Sequence, residues 1–262
     1  MKYKQILKKI CIVLGWLIVW QLLALAIHNN ILLAGPYESL RALFELVQTG
    51  VFWLSILYTS IRIILGFVIG MVLGLGLAII AYKFKLLEDI LQPLMSVLKS
   101  VPVVAFIIII LIWIGPDWMC MIIVALVVMP IAYLNMLNGL KSVNVKMLEL
   151  AKVYNMSFGN KAKYIFMPVL KNYLYSAFEL AIGMAWKSGV AAEVVGQPLK
   201  TIGDQMYLSK VYLATPELFA WTFITVVLAF LTGKLCMFLF NIAINKGKYV
   251  KMSRGKNEIK SK

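Results

Sequence analysis

Apolar residues in this chain run on rather than alternate with polar ones. A helix that crosses the hydrocarbon core needs about 20 mostly apolar residues, and six stretches qualify. They are Ile10–Ile27, about 56–82, Ile90–Ile114, Trp118–Leu137, about 173–195 and Leu218–Ile244. The third is interrupted by Pro93, Lys99 and Pro102, and the fourth carries Pro130. Pro102 and Pro130 read as kinks, which membrane helices tolerate. The fifth holds Glu179, Lys187 and Glu193, and the sixth Lys234. Two intervening segments, about 28–55 and 196–217, show helical apolar spacing such as Leu40, Leu43, Phe44 and Val47. They predict short helices lying along a membrane surface. Trp53, Tyr82 and Trp118 sit near span ends as interfacial anchors. The first stretch also fits a secretory signal, with a lysine-rich start and an Ala24-Leu25-Ala26 end. Its apolar run of 18 residues is long for a signal and sufficient for a span.

Composition agrees with the pattern. Of 262 residues, 62% are hydrophobic and 14% charged, whereas soluble domains are about 45–50% apolar and about 25% charged. The formal net charge is +15, with 26 basic and 11 acidic residues. In a soluble chain that excess would suggest nucleic acid. Here its placement decides otherwise. With the N-terminus inside and six crossings, nineteen of the 26 basic residues fall on inside segments. Only Arg41, Lys200 and Lys210 fall outside, and Arg62, Lys99, Lys187 and Lys234 lie within spans. Cytoplasmic loops of membrane proteins carry such a lysine and arginine excess. Both termini are therefore expected in the cytoplasm, and no nucleic-acid partner is expected. Cys11, Cys120 and Cys236 read as reduced thiols in apolar runs, and His28 is the single histidine. No metal site, catalytic triad or cofactor is expected from this set.

The inside segment from Gly139 to Asn172 is the largest cytoplasmic feature and holds six lysines. Val145, Leu148 and Val153 share one helical face, broadened by Leu150, Ala151 and Tyr154. Asn155 can take the left-handed conformation that ends a helix. A second short helix is expected to run towards Pro168. An apolar face on a cytoplasmic loop implies a partner protein or packing against the spans.

This segment resembles the coupling loop of bacterial ABC-importer permeases, E-A-A-x(3)-G-x(9)-I-x-L-P. Glu149, Leu150, Ala151, Asn155, Ile165, Met167 and Pro168 occupy its positions at the right spacing. Leu150, Asn155 and Met167 depart from the pattern. Asparagine is the next-best residue for a left-handed turn, and methionine replaces leucine at little volume cost. Leu150 adds bulk where the family has alanine. Other stretches resemble the nitrate/sulfonate/taurine branch. They are Gly35-Pro-Tyr-Glu-Ser-Leu, Thr59 to Gly70, Lys99-Ser-Val-Pro102-Val-Val-Ala105, Trp113-Ile-Gly-Pro, Trp186 with Ala192-Glu193, and Ile202-Gly203. The similarity covers about residues 10–245.

The resemblance implies an all-α integral membrane fold of the type I ABC-importer permease, six-spanning, in the bacterial inner membrane. Residues 1–245 would form one permease domain, with its core at about 56–245 and the coupling loop at about 139–172. Residues 246–262 would be a basic, frayed cytoplasmic tail. Partners implied are cytoplasmic ATPase subunits, an extracytoplasmic binding (lipo)protein and a second permease copy, usually as a homodimer. Glu149 would be the loop's polar anchor, towards a helix end or a basic ATPase residue. The chain has no G-x(4)-G-K-[ST] phosphate loop, since Gly233-Lys234 lacks the earlier glycine and the Ser/Thr. It is expected to receive an ATP-driven stroke, not to hydrolyse ATP. The implied cargo is a small anion such as a sulfonate, taurine or nitrate, or else a thiamine-precursor-like heterocycle.

Two residue sets stay open between function and packing. Gly66, Gly70 and Gly74 fall on one face of the second span. They suit either a sliding contact within or between permease copies, or close packing inside one subunit. Arg62, Glu179, Lys187 and Glu193 are candidates for a translocation path, because intramembrane charge needs a partner or water. Lys187 would offer positive charge to a passing anion, or pair with an acid such as Glu179. Arg62 and Glu193 could snorkel to a nearby outer end. Two other classes compete. A membrane enzyme would need clustered carboxylates, and Glu88-Asp89 reads instead as a helix-start charge. An ATP-independent transporter or channel would show an internal repeat, and none is evident.

Overall fold

A computed structural model describes the backbone of residues 2–29 and 31–259, and side chains within residues 7–242 except residues 9 and 30. Among the described residues every regular element is helical. The chain order is α1 (Lys2–Ile27), α2 (Pro36–Val47), α3 (Gly50–Lys83), α4 (Lys85–Ser100), α5 (Val103–Ile114) and α6 (Pro116–Lys141). Then follow α7 (Val145–Val153), α8 (Phe158–Lys161), a π-helical turn (Ala162–Phe166), α9 (Met167–Gly196), α10 (Ile202–Val211) and α11 (Thr215–Ile259).

Local chemistry sets the boundaries. Pro36 and Pro116 stand at the first turns of α2 and α6, where a missing N–H costs nothing. Thr49, Asn144 and Thr201 cap α3, α7 and α10 by accepting from Phe52 N, Lys146 N and Asp204 N. Gly115 has φ +84°, which lets α5 turn directly into α6. Gln197 ends α9 in the left-handed conformation.

The core is the trio α3, α6 and α9. The glycine stripe explains how α3 and α6 come so close. A Cβ at Gly70 would sit 2.7 Å from the Ala125 carbonyl oxygen and 2.8 Å from Val128 Cβ. Gly66 and Gly74 face Met121–Val124 and Met129–Ala132 in the same way. The stripe is therefore a packing surface within one subunit. Ile63, Val124, Ala181, Trp186 and Trp221 fill the centre of the bundle. A second cluster holds one end around Met95, Tyr133, Leu137 and Leu170. A third, of Ile107, Ile110, Met119, Ile123 and Ala192, sits where α5 meets α6 and α9.

Among the described residues four helices are long and apolar enough to cross a membrane: Ile10–Ile27, Gly50–Lys83, Pro116–Lys141 and Thr215–Ile242. The pair α4 and α5 passes only jointly and is bent by 98°. Of the two prolines in that stretch, Pro93 stays inside α4 and the break falls at Val101-Pro102. Pro102 biases the residue before it to an extended conformation, and Val101 has ψ 133°. Pro130 lies inside a continuous α6. α9 is 30 residues long and less apolar, since it carries Lys171, Glu179, Lys187 and Glu193. Three boundaries differ from the sequence reading. α3 begins at Gly50, α9 at Met167, and the backbone after Ile244 continues as helix to Ile259 where a frayed tail was expected. The two expected outer helices form as α2 and α10.

Candidate coupling and translocation site

The segment after α6 folds into a compact hairpin. Asn144 Oδ1 accepts from Lys146 N at 2.9 Å and starts α7. Tyr154 N donates to Leu150 O, and Met156 N donates to Ala151 O at 2.9 Å. Asn155 lies between them with φ +45°, the left-handed turn expected of it. The hairpin has its own small core of Val143, Ala151 and Ile165, backed by Leu148, Met156, Phe166 and Val169. Phe166 also packs on the α4–α6 cluster and stands edge-on to Tyr82 at 6.2 Å. The hairpin is thus a body tied to the spans at its base.

Its outer surface is apolar as well. Val145, Leu150, Val153, Tyr154 and Phe158 are all more than half exposed, Phe158 at 84%. The sequence placed Val145, Leu148 and Val153 on one face. The structure sends Leu148 and Ala151 inward and the others outward, so α7 is apolar on two sides. Of the seven motif positions, Ala151 and Ile165 are buried against each other's neighbours. Glu149, Leu150, Asn155, Met167 and Pro168 are exposed. Among the described residues Glu149 has neither a hydrogen bond nor an ion pair within the chain. Met147 and Phe158 were not singled out from the sequence, although their apolarity in a lysine-rich segment was a readable signal.

The intramembrane charges divide into two sets. Glu193 is fully buried. Its Oε2 accepts from Thr59 Oγ1 at 2.7 Å and from Gly203 N at 3.3 Å. Thr59 Oγ1 in turn accepts from Ile202 N at 2.9 Å. One carboxylate and one hydroxyl thereby satisfy two free N–H groups at the start of α10, and they join α3, α9 and α10. Gly203 is required, because a Cβ there would strike the backbone of Glu193 and Val194. Arg62 is one-fifth exposed and pairs with Asp117 at 3.6 Å. Snorkelling is therefore the wrong description of Glu193. Glu193 points into the protein, and Arg62 reaches the first turn of α6. Neither Thr59 nor Asp117 was proposed as a partner from the sequence, since nothing in a single sequence links positions so far apart.

Glu179 and Lys187 form the other set. Both are exposed in the single chain, and no ion pair joins them among the described residues. The structural pairing considered for Lys187 is not formed. The four path candidates thus fall into two that reach partners on other helices and two facing outward from α9.

At the hairpin's base lies a charge cluster that the sequence reading took for a simple helix-start effect. Glu88, in the first turn of α4, has a side chain only 7% exposed. Lys141, in the last turn of α6, donates to its Oε1, and Lys85 approaches the same atom at 3.4 Å.

The chain is an α-helical bundle with a bent α4–α5 pair and a hairpin after α6 whose outer surface is apolar. The description "Binding-protein-dependent transport system inner membrane component" matches residues 66–248, and the chain belongs to that family. It is 27% identical over 216 residues to the chain assigned to aliphatic sulfonates transport as permease protein SsuC in Bacillus subtilis (strain 168), covering 82% of this chain and 78% of that one. It is 26% identical to the bicarbonate transport system permease protein CmpB of Synechococcus elongatus, covering 81% and 83%. Among solved structures it resembles an amino acid ABC transporter crystallised with histidines, with a TM-score of 0.58 at 17% identity over 75% of this chain and 94% of that one. The chain is a multi-pass inner-membrane permease subunit of an ABC importer of the sulfonate/nitrate/taurine branch.

Proposed function

We propose that this chain forms the pathway for a small anion and is driven between inward- and outward-facing packings by separate ATPase subunits that grip the α7–α8 hairpin. The observation that carries this reading is the hairpin's exposed apolar surface on a segment with its own core. A contiguous apolar patch of this kind marks a protein interface. A rigid body that docks a partner can pass on a displacement as a whole. In this reading six crossings leave both termini and the hairpin in the cytoplasm, Glu149 is the hairpin's polar anchor, and a second copy of the chain completes the pore. An extracytoplasmic binding protein delivers the cargo.

An anionic cargo is supported by the substrates named for the two relatives and by Lys187. That lysine presents charge from α9 with no acid paired to it among the described residues. An intramembrane cation needs a partner or water, and a passing anion would supply one.

The test reconstitutes permease, ATPase and binding protein in liposomes and measures uptake with and without ATP. Val153→Glu is expected to release the ATPase on purification and abolish uptake. Lys187→Met is expected to keep the ATPase bound and lower anion uptake at least tenfold. Transport by the permease alone without ATP overturns the importer mechanism, and full uptake by Lys187→Met overturns the role of that lysine.

A further inference from the structure

The buried carboxylate of Glu88 has no place in the reading above, yet it sits where force would enter the bundle. α4 packs through Glu88, Leu91, Met95 and Leu98, which follow one another along one helical face. Met95 is fully buried against the cluster that holds Tyr133, Leu137 and Leu140 of α6. Glu88 stands at the end of this stripe, on the packed face, and Lys141 donates to it from the last turn of α6. After Lys141 only Ser142, Val143 and Asn144 intervene before α7 begins, and Val143 belongs to the hairpin core. At its other end α4 continues through the 98° bend into α5. The side chains of α5 reach Met119, Ile123 and Ala192, next to Glu193.

We infer that the Glu88–Lys141 ion pair is a positioning strut, which carries movement of the coupling hairpin into the bent α4–α5 pair. The inference rests on the hairpin being the ATPase's grip. Apolar contacts between α4 and α6 are non-directional and tolerate sliding. An ion pair with one member buried does not, because separation strands the buried charge. The asymmetry is on the right side. Lys141 is 44% exposed and finds water if released, whereas Glu88, at 7%, would keep only the longer contact to Lys85. Glu88 must therefore follow Lys141. Lys85 also donates to Glu88 Oε1, at 3.4 Å, but from α4 itself, so it moves with Glu88 and gives it no link to α6. The pair also sits at favourable dipole ends, an acid at the start of α4 and a base at the end of α6, so it holds without distorting either helix. Glu88 and Lys141 are positioning residues in this scheme, since neither touches the cargo.

The experiment uses the assembled importer in liposomes and reads three quantities: ATPase bound per permease, ATP hydrolysed, and cargo taken up per ATP. Glu88→Gln and Lys141→Gln are expected to keep the ATPase bound and hydrolysing, while uptake per ATP falls about tenfold. The exchanged pair, Glu88→Lys with Lys141→Glu, is expected to restore uptake per ATP to within about twofold of the parent. Unchanged uptake per ATP in Glu88→Gln overturns the strut. So does an exchanged pair that assembles yet stays as uncoupled as the single variants. If the neutral variants fail to assemble, Glu88→Asp and Lys141→Arg keep both charges and alter their reach. Normal uptake per ATP in both overturns the strut, and a fall with the ATPase still bound supports it. Failure of the hairpin reading shows elsewhere, as ATPase retained by Val153→Glu.

Discussion

Thr59 carries more of the fold than its size suggests. Its hydroxyl donates to Glu193 and accepts from Ile202 N, with all of these groups buried. Thr59→Val keeps the shape and removes both bonds. It leaves the Ile202 N–H unsatisfied and Glu193 Oε2 with Gly203 N alone. A buried polar group left without its partner costs about 1–3 kcal/mol. Thr59→Val is therefore expected to lower the melting temperature of the detergent-solubilised protein clearly, while Thr59→Ser retains most of it. Equal melting of the two variants would show that the hydroxyl is not what holds α10. At this scale the sequence was partly legible. Asn155 was readable as a turn because few residues adopt positive φ cheaply, and the structure has it there. Glu193 was readable as unusual, because charge in an apolar run demands an explanation. Its partners were not, because Thr59 is 134 positions away and hydroxyls are common in membrane helices. Glu88 was read as a helix-start charge and stands in the first turn of α4, but its pairing with Lys141 was missed for a related reason. A first-turn acid is satisfied by the helix dipole alone, so nothing in the sequence required a second partner.

Periodicity along an element carried more information than single residues did. Glycines at 66, 70 and 74 share one face of a helix, and such a face lets another helix approach closely. Which helix it meets follows from the fold, and the answer is α6. The same geometry separates two glycines that look equivalent in sequence. Gly70→Val would press against the Ala125 carbonyl oxygen, backbone that cannot retreat, whereas a Cβ at Gly76 meets nothing within 4 Å. Gly70→Val is expected to reduce the folded fraction on size exclusion severalfold. Gly76→Ala is expected to fold at least as well as the parent, since alanine is favoured in a helix by about 1 kcal/mol. A tolerated Gly70→Val would mean that α3 and α6 are not in this contact. The third apolar stretch was partly legible: Pro102 was read as a kink, and the chain bends by 98° there, though the size of the bend was not foreseen. Pro93 stays within α4, in the stretch anchored by Leu91 and Met95.

For the whole molecule, exposure runs in the reverse of a soluble protein. Large apolar side chains such as Trp16, Val72 and Val226 lie more than half exposed along helices long enough to cross a bilayer. The apolar windows of α1 and α11 are 6% and 0% buried, against 39% and 50% for α3 and α6. α3 and α6 are therefore central, and α1 and α11 offer their sides to lipid or to another copy. Charge supplies the orientation that packing does not. If the lysine-rich segments are inside, the hairpin lies with them, and Arg41, Lys200 and Lys210 mark the opposite face. That assignment is open to direct measurement with single cysteines. Cys11, Cys120 and Cys236 are replaced first, because Cys11 is exposed and would label. Leu199 is 78% exposed in the link between α9 and α10, and Ser157 is exposed in the hairpin. A membrane-impermeant maleimide is expected to label Leu199→Cys in intact spheroplasts and Ser157→Cys only in inverted vesicles. One long helix, α9, separates the two sites, so the pair also asks whether it crosses the membrane. Labelling of both from the same side would remove that crossing and, with it, the placement of the hairpin opposite the outer loops.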